Sequence, residues 1–93
     1  MAAANAEIAR LIGVNIGQLR TQAGYSQEEL GVRAGLHRTA VGQLERGERV
    51  PRADSIIRLA ASLDIPPGDL LTGVSWEPIE LSAGGYSFPG SEL

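Results

Sequence analysis

The sequence contains no cysteine and no lysine, and only four of its 93 residues are aromatic. The absence of cysteine excludes disulfide bonds and thiolate metal sites, which fits a reducing compartment. No apolar run approaches the roughly 20 residues that cross a bilayer. The first residues also lack the basic start and apolar core of a secretory signal. We therefore expect one small cytoplasmic domain without membrane contact.

Positive charge comes only from arginine, and its distribution matters more than the net charge of −3. Residues 1–72 carry eight arginines and eight acids, whereas residues 73–93 carry three glutamates and no base. Arg38, Arg46, Arg49 and Arg52 fall within 15 residues. Such a local basic patch can dock a polyanion, and arginine suits guanine edges and phosphates. A solvated face, with lysine lost through genome base composition, is the alternative.

The spacing of apolar residues predicts an all-α chain of five helices followed by a helix-poor tail. Ser26 and Glu29 form a capping-box pattern, and glycines follow the first three helices. Gly13 and Gly17 weaken the first helix, so a start near Leu11 is the alternative to Ala6. The fourth helix should turn its isoleucines, including Ile57, toward the core. The predicted helices cover residues 6–23, 27–34, 37–46, 53–63 and 67–71.

Residues 73–93 form a tail that is rich in glycine, serine and proline but contains Trp76, Tyr86 and Phe88. Residues 75–81 and 86–88, which flank SAGG, predict a weak hairpin. The aromatic side chains either cap the small core or form a dimer arm or docking site for a protein partner or ligand. We therefore divide the chain into a domain of residues 6–72 and a tail of residues 73–93.

The second and third predicted helices are joined by a short glycine-containing turn, which is typical of a helix-turn-helix. This packing needs a small residue where the helices cross, a glycine in the turn, and apolar residues on the inner faces. Six positions hold suitable residues, namely Leu30, Gly31, Gly35, Leu36, Val41 and Leu44. The pattern predicts a helix-turn-helix whose second helix exposes a polar face.

The exposed arc of residues 37–46 holds two arginines and no acid, and Gly42 lies at its centre. Glycine costs about 1 kcal/mol of helix stability relative to alanine. We interpret Gly42 as keeping the face flat so that the helix backbone can approach DNA. Arg38 and Gln43 are forked side chains that can bond two groups on guanine and adenine, and the Thr39 methyl can contact thymine.

The stretch from Ile12 to Leu71 resembles the phage repressor and Cro-like (XRE) family of helix-turn-helix DNA-binding domains. The residues that carry the resemblance are LRTQAGYSQEELGVRAGLHRTAVGQLERGERVPRADSIIRLAASLDIPPGDLL. They cover roughly two-thirds of the chain. The resemblance implies a compact five-helix bundle of the lambda-repressor type that binds double-stranded DNA operators as a homodimer. It places the third helix in the major groove.

The resemblance also implies roles for individual residues. Arg38, Thr39 and Gln43 would face base edges, with Ala40 at the margin of that surface. Arg20 and Glu45 match a structural ion pair. The residues expected at or near the DNA backbone, by resemblance or by their place beside the basic arc, are Gln27, His37, Gly42, Arg46, Arg49 and Arg52.

These observations predict a non-catalytic transcriptional regulator, a repressor in the simplest case, which binds a palindromic operator as a homodimer. No nucleophile–base pair, metal-ligand set or phosphate loop is recognisable, so we expect no enzyme activity, cofactor or metal. His37 is interpreted as a helix cap or phosphate neighbour. Alternatives within the fold are an antitoxin or a restriction–modification controller. A protein-interaction adaptor that does not bind DNA is the rival from another class.

Overall fold

Four α-helices and a short 3₁₀-helix make up the described part of the chain. The computed structural model describes residues 3–78, with side chains from residue 5 onward. The elements are α1 (Ala3–Ala23), α2 (Gln27–Ala34), α3 (Arg38–Glu45), α4 (Ala53–Ser62) and the 3₁₀-helix Pro67–Leu71. Residues 3–78 contain no strand. The all-α class is confirmed, but the predicted fifth α-helix is wrong, because two prolines and five residues leave room only for a tight 3₁₀ turn.

Each helix contributes an apolar face to one core. The inner faces predicted for α2 and α3 are buried. Ile57 is 58% exposed, so its predicted inward position is wrong. Ile56, Leu59, Ala60 and Leu63 recur at the spacing of one helix face, and Ile57 falls outside it. The buried core consists of Ile12, Ile16, Leu30, Ala34, Val41, Leu44, Leu59, Ala60, Leu63 and Leu70.

The first helix is longer than predicted and begins at Ala3. Gly13 does not interrupt it. A Cβ on Gly13 would collide with the Leu44 carbonyl oxygen and would stand 2.8 Å from the Glu45 carbonyl oxygen. The missing side chain therefore lets α1 lie directly against the end of α3, which is a packing role that outweighs the helix propensity of glycine.

The turn between α2 and α3 is closed by backbone contacts. Gly35 has a φ of 70°, the left-handed conformation that ends α2. The Leu36 amide donates to the Gly31 carbonyl oxygen at 2.7 Å. A Cβ on Gly31 would stand 2.5 Å from the Leu36 carbonyl oxygen, so glycine is needed where the turn returns onto α2. These contacts fix α3 against α2.

Asn15 of α1 holds the end of the 3₁₀-helix. Its Nδ2 donates to the carbonyl oxygens of Leu70 and Thr72 at 3.0 and 2.9 Å, and Val74 packs against the core. Residues 75–78 form no strand, and the remainder of the predicted hairpin lies outside the described residues. Among the helices of the described chain, none is long and apolar enough to cross a membrane.

Candidate nucleic-acid interface

The third helix buries one face and exposes the other. Val41 and Leu44 are 0% and 2% exposed, which fixes the rotation of α3 about its axis. Arg38 and Thr39 are exposed and Gln43 is half-buried. These three residues share the outer arc of the helix. Ala40, half-buried, lies at the margin of this arc. The residues predicted to read bases are therefore brought together on one surface.

His37 is the N-cap of α3. Its backbone is extended, with φ −69° and ψ 146°. Its Nδ1 accepts a hydrogen bond from the Thr39 amide at 3.1 Å. An accepting Nδ1 carries no proton, so the hydrogen of the neutral ring is on Nε2. The side chain therefore begins α3 and offers an N–H donor from an exposed residue.

A half-buried ion pair joins α1 to the end of α3. Arg20 Nε donates to Glu45 Oε2 at 2.6 Å, and Arg20 Nη2 donates to Glu45 Oε1 at 3.0 Å. Arg20 Nη1 also donates to the Tyr25 carbonyl oxygen at 2.8 Å, and Gln27 Nε2 donates to Glu45 Oε1 at 3.0 Å. The hydrogen bonds from Arg20 to Glu45 raise the pKa of Arg20, while partial burial opposes the shift. Arg20 is therefore a permanent cation that holds Glu45, and Glu45 in turn orients Gln27.

Gly42 is buried, and the flat, open surface interpreted from its sequence position is absent. A Cβ on Gly42 would stand 3.0 Å from Arg46 Nη1 and 3.5 Å from Gln27 Oε1. Residues four apart on a helix are neighbours, so Arg46 can fold back into the space that glycine leaves. Two polar side chains, from Arg46 and Gln27, therefore cover the helix backbone at Gly42.

The clustered arginines at this surface are mostly paired with acids. The pairs, with their N–O distances, are Arg38–Glu28 (3.6 Å), Arg46–Glu48 (2.6 Å) and Arg52–Asp54 (3.4 Å). Every side chain in these pairs is at least half exposed. Exposed pairs are worth about 0–1 kcal/mol, so these arginines can exchange their partners for other anions. Within residues 5–78, Arg49 forms no ion pair.

The segment from the second half of α1 to the 3₁₀-helix matches a known family. The family model, described as helix-turn-helix, matches residues 16–70. The chain belongs to the helix-turn-helix family. The matched residues include the whole of α2, α3 and α4, and therefore the polar surface described above.

Three relatives of this helix-turn-helix chain illustrate the match. The uncharacterised HTH-type transcriptional regulator y4dJ of Sinorhizobium fredii is 32% identical over 72 residues, which are 77% of this chain and 94% of that protein. The restriction-modification controller protein C.AhdI of Aeromonas hydrophila superposes with a TM-score of 0.68 and 40% identity, over 70% of this chain and 94% of that chain. The P22 c2 repressor, crystallised with synthetic operator 9T, has a TM-score of 0.63 and 32% identity, over 68% and 96% of the two chains.

The acidic residues of this helix-turn-helix surface were missed by sequence reasoning. Glu28 lies in the first turn of α2, and its contact with Arg38 depends on how α2 and α3 are packed. No local pattern predicts that contact. Glu48 lies two residues after Arg46, and this short separation was a usable signal. Most arginines of this surface are therefore paired with carboxylates rather than left as unpaired cations.

Of the three aromatic residues of the tail, only Trp76 lies within the described residues. Trp76 is 59% exposed and does not cap the core, whereas Val74 packs against it. Tyr86 and Phe88 lie outside the described residues. In the described part of the chain, no cluster of three or more histidine, aspartate or glutamate side chains is placed to hold a metal ion.

Proposed function

We propose that this chain is a sequence-specific DNA-binding transcriptional regulator, with repression as its simplest mode of action. The observation that carries the proposal is the outer face of α3, where Arg38, Thr39 and Gln43 are held together by burial of Val41 and Leu44. A helix of this width fits the major groove, where base edges are distinguishable. The operator-bound P22 c2 repressor, which shares the fold, supports the same use of the surface.

Arg38 and Gln43 are the proposed readers of guanine and adenine, because each can form two hydrogen bonds with one base. Thr39 would contact a thymine methyl, with Ala40 at the edge of the reading surface. Contacts of this kind supply sequence preference, whereas phosphate contacts supply register and orientation. The fixed rotation of α3 supports this division, because it keeps the forked side chains on the solvent side.

The proposed backbone contacts surround α3. Arg46, Arg49 and Arg52 would donate to phosphates. His37 would donate through Nε2, since Nδ1 is engaged with the Thr39 amide. Gln27, at the start of α2, would contact a phosphate and steady α3. It is already held by Glu45.

We further propose that the protein binds a roughly palindromic operator as a homodimer, with half-sites about 10 to 10.5 base pairs apart. Dimeric helix-turn-helix proteins match the two-fold symmetry of their operators in this way. The exposed Trp76 supports a role for the tail as a dimer arm or docking segment beyond the domain of residues 6–72. Tyr86 and Phe88 are proposed to share that role.

A restriction–modification controller is the second candidate, and the specific observation in its favour is the 40% identity to C.AhdI over 70% of this chain. The match covers 94% of that chain, so nearly all of the controller's fold is represented here. Both candidates use the same DNA-binding surface. They differ in the genes that neighbour them in the genome.

The test is selection of bound duplexes from a random oligonucleotide pool at about 100 mM salt, where non-specific phosphate binding is moderated. The full chain should enrich a palindrome. A matched selection uses the chain truncated after Ser75, which removes Trp76 and everything beyond it but retains the packed Val74. Enrichment of single half-sites by the truncated chain would support the dimer arm.

Two results would contradict parts of the proposal. If the full chain enriches no sequence and binds no duplex even at low salt, the protein is an interaction adaptor and DNA binding is rejected. If the truncated chain still enriches the full palindrome, the dimer arm is rejected while the sequence-specific regulator stands.

A further inference from the structure

The guanidinium of Arg46 lies between the backbone of Gly42 and the carboxylate of Glu48. Arg46 Nε donates to Glu48 Oε2 at 2.6 Å. Arg46 Nη1 stands 3.0 Å from the position of a Cβ on Gly42, and Gln27 Oε1 stands 3.5 Å from the same position. Because Gln27 Nε2 is bound to Glu45, the Gln27 amide has a defined orientation there. The Arg46 guanidinium therefore has a definite resting place beside α3.

The described contacts of the Glu48 carboxylate give it no role in stabilising the fold. The Arg46 and Glu48 side chains are 61% and 50% exposed. Within the described residues, Glu48 makes no side-chain hydrogen bond other than the one from Arg46. Such a pair contributes little to folding, because water and salt screen it. Its presence at the candidate interface therefore calls for another explanation.

Carboxylate and phosphate oxygens bind guanidinium in the same way. Both accept charge-assisted hydrogen bonds from its fixed fork of donors. Arg46 is one of the side chains proposed to contact the DNA backbone. In this structure, one of the donors that a phosphate oxygen could use, Arg46 Nε, is already engaged by Glu48 Oε2.

We propose that Glu48 is an intramolecular competitor for the DNA phosphate that Arg46 contacts. The inference rests on the proposed function, in which the surface of α3 binds duplex DNA. Binding exchanges one acceptor for another, since Arg46 Nε leaves Glu48 Oε2 and donates to a phosphate oxygen. Because phosphates carry no sequence information, Glu48 lowers affinity for all duplexes alike.

The test compares Glu48→Gln with Asp64→Asn as a matched control. Both variants replace one carboxylate with an amide of nearly the same shape. Asp64 is exposed at the end of α4 and has no ion pair among the described residues. Its φ of 56° is a conformation that asparagine also adopts readily. Affinity is measured by fluorescence anisotropy at about 100 mM salt, on the selected duplex and on a scrambled one.

We expect Glu48→Gln to bind both duplexes about two- to fivefold more tightly than Asp64→Asn, the range that an exposed ion pair permits. In the Arg46→Ala background this gain should vanish. An affinity equal to or below that of Asp64→Asn would overturn the proposal. A gain that persists without Arg46 would also overturn it, because Glu48 would then act only through its general charge.

A second measurement separates this inference from the proposed function. Inorganic phosphate is titrated into the full chain, and the Arg46 Nε–H signal is followed by NMR. We expect Glu48→Gln to respond at lower phosphate concentration than wild type, and an equal response would reject the competition. Failure of the wild-type chain to bind any duplex would instead reject the proposed function, and the phosphate titration would still decide whether Glu48 competes for Arg46.

Discussion

Two arginine–glutamate pairs on this molecule have the same short contact and opposite surroundings. In both Arg20–Glu45 and Arg46–Glu48, the arginine Nε lies 2.6 Å from a carboxylate oxygen. The side chains of the first pair are only 19% and 11% exposed, against 61% and 50% in the second. The first pair also bonds the Tyr25 carbonyl and the Gln27 amide, whereas the second has no further side-chain hydrogen bond in the described chain.

The difference shows that the N–O distance alone does not determine what an ion pair does. When a pair is withdrawn from water, the loss of one charge leaves the other uncompensated. The half-buried pair therefore fixes α1 to the end of α3. Charges left in water lose little when they separate, so the exposed pair can exchange its partner. A glycine adjoins each pair, since Gly17 lies beside the Glu45 carboxylate and Gly42 beneath the Arg46 guanidinium.

The largest expected effect comes from breaking the half-buried pair. Arg20→Ala should lower the free energy of unfolding by about 2–3 kcal/mol, somewhat less than the 3–5 kcal/mol of a fully buried pair. The loss arises because the Glu45 carboxylate would be left at the end of α3 without its partner cation. The measurement is a urea titration in which the midpoint falls and the slope is unchanged.

The exposed pair supplies the control for this comparison. Arg46→Ala should change the free energy of unfolding by no more than about 0.5 kcal/mol, as for other surface substitutions. Equal losses from Arg20→Ala and Arg46→Ala would show that burial does not distinguish the pairs, and the division between a structural and an exchangeable pair would fail.

A smaller effect, on base discrimination rather than on stability, is expected when an exposed arginine is removed from the outer arc of α3. Arg38 pairs with Glu28 at 3.6 Å, and both side chains are about two-thirds exposed. Arg38→Ala should leave stability almost unchanged but remove about 1–3 kcal/mol of discrimination at one base-pair position. Affinities for the selected operator and its single-base variants measure this loss.

Arg49→Ala is the matched variant, because Arg49 is exposed and outside α3. If it contacts phosphate, its removal should weaken all duplexes alike and reduce the salt dependence by about one unit. Retention of the full base preference by Arg38→Ala would show that another part of the chain reads the operator.

The sequence was sufficient for those parts of the fold that depend on local spacing. The capping box at Ser26, the turn at Gly35 and the buried positions Val41 and Leu44 all follow from patterns within one or two helical turns. The start of α1 and the exposure of Ile57 were not predicted. A local signal existed for Ile57, because Ile56, Leu59, Ala60 and Leu63 define one helix face that excludes it.

In the candidate site, too, some features were predictable from the sequence and others depended on how the helices pack. The outer arc of α3 was predictable, because burial of one helix face determines the other. The position of Gly42 was predictable but its surroundings were not, since the side chains that cover it come from Arg46 and from Gln27 of α2. The contact between Arg38 and Glu28 likewise required the packing of α2 against α3.

The smallest expected effect comes from Gly42→Ala, which places a methyl group beneath the exposed pair. Only the flexible end of Arg46 must move, because Arg46 Nη1 is the nearest atom at 3.0 Å. Stability should therefore rise by up to about 1 kcal/mol through helix propensity, while DNA affinity rises because Glu48 holds the displaced Arg46 less firmly. Thermal unfolding and anisotropy measure the two quantities on the same sample.

Gly17→Ala is the control for that last substitution, because it adds the same methyl group beside the half-buried pair. Its Cβ would stand 3.5 Å from Glu45 Oε1, an ordinary contact, so stability should rise as well. DNA affinity should not change, because Arg20 continues to hold Glu45. If Gly42→Ala gained stability and left DNA affinity unchanged, the resting place of Arg46 would have no part in binding, and the exposed pair would be an incidental surface contact.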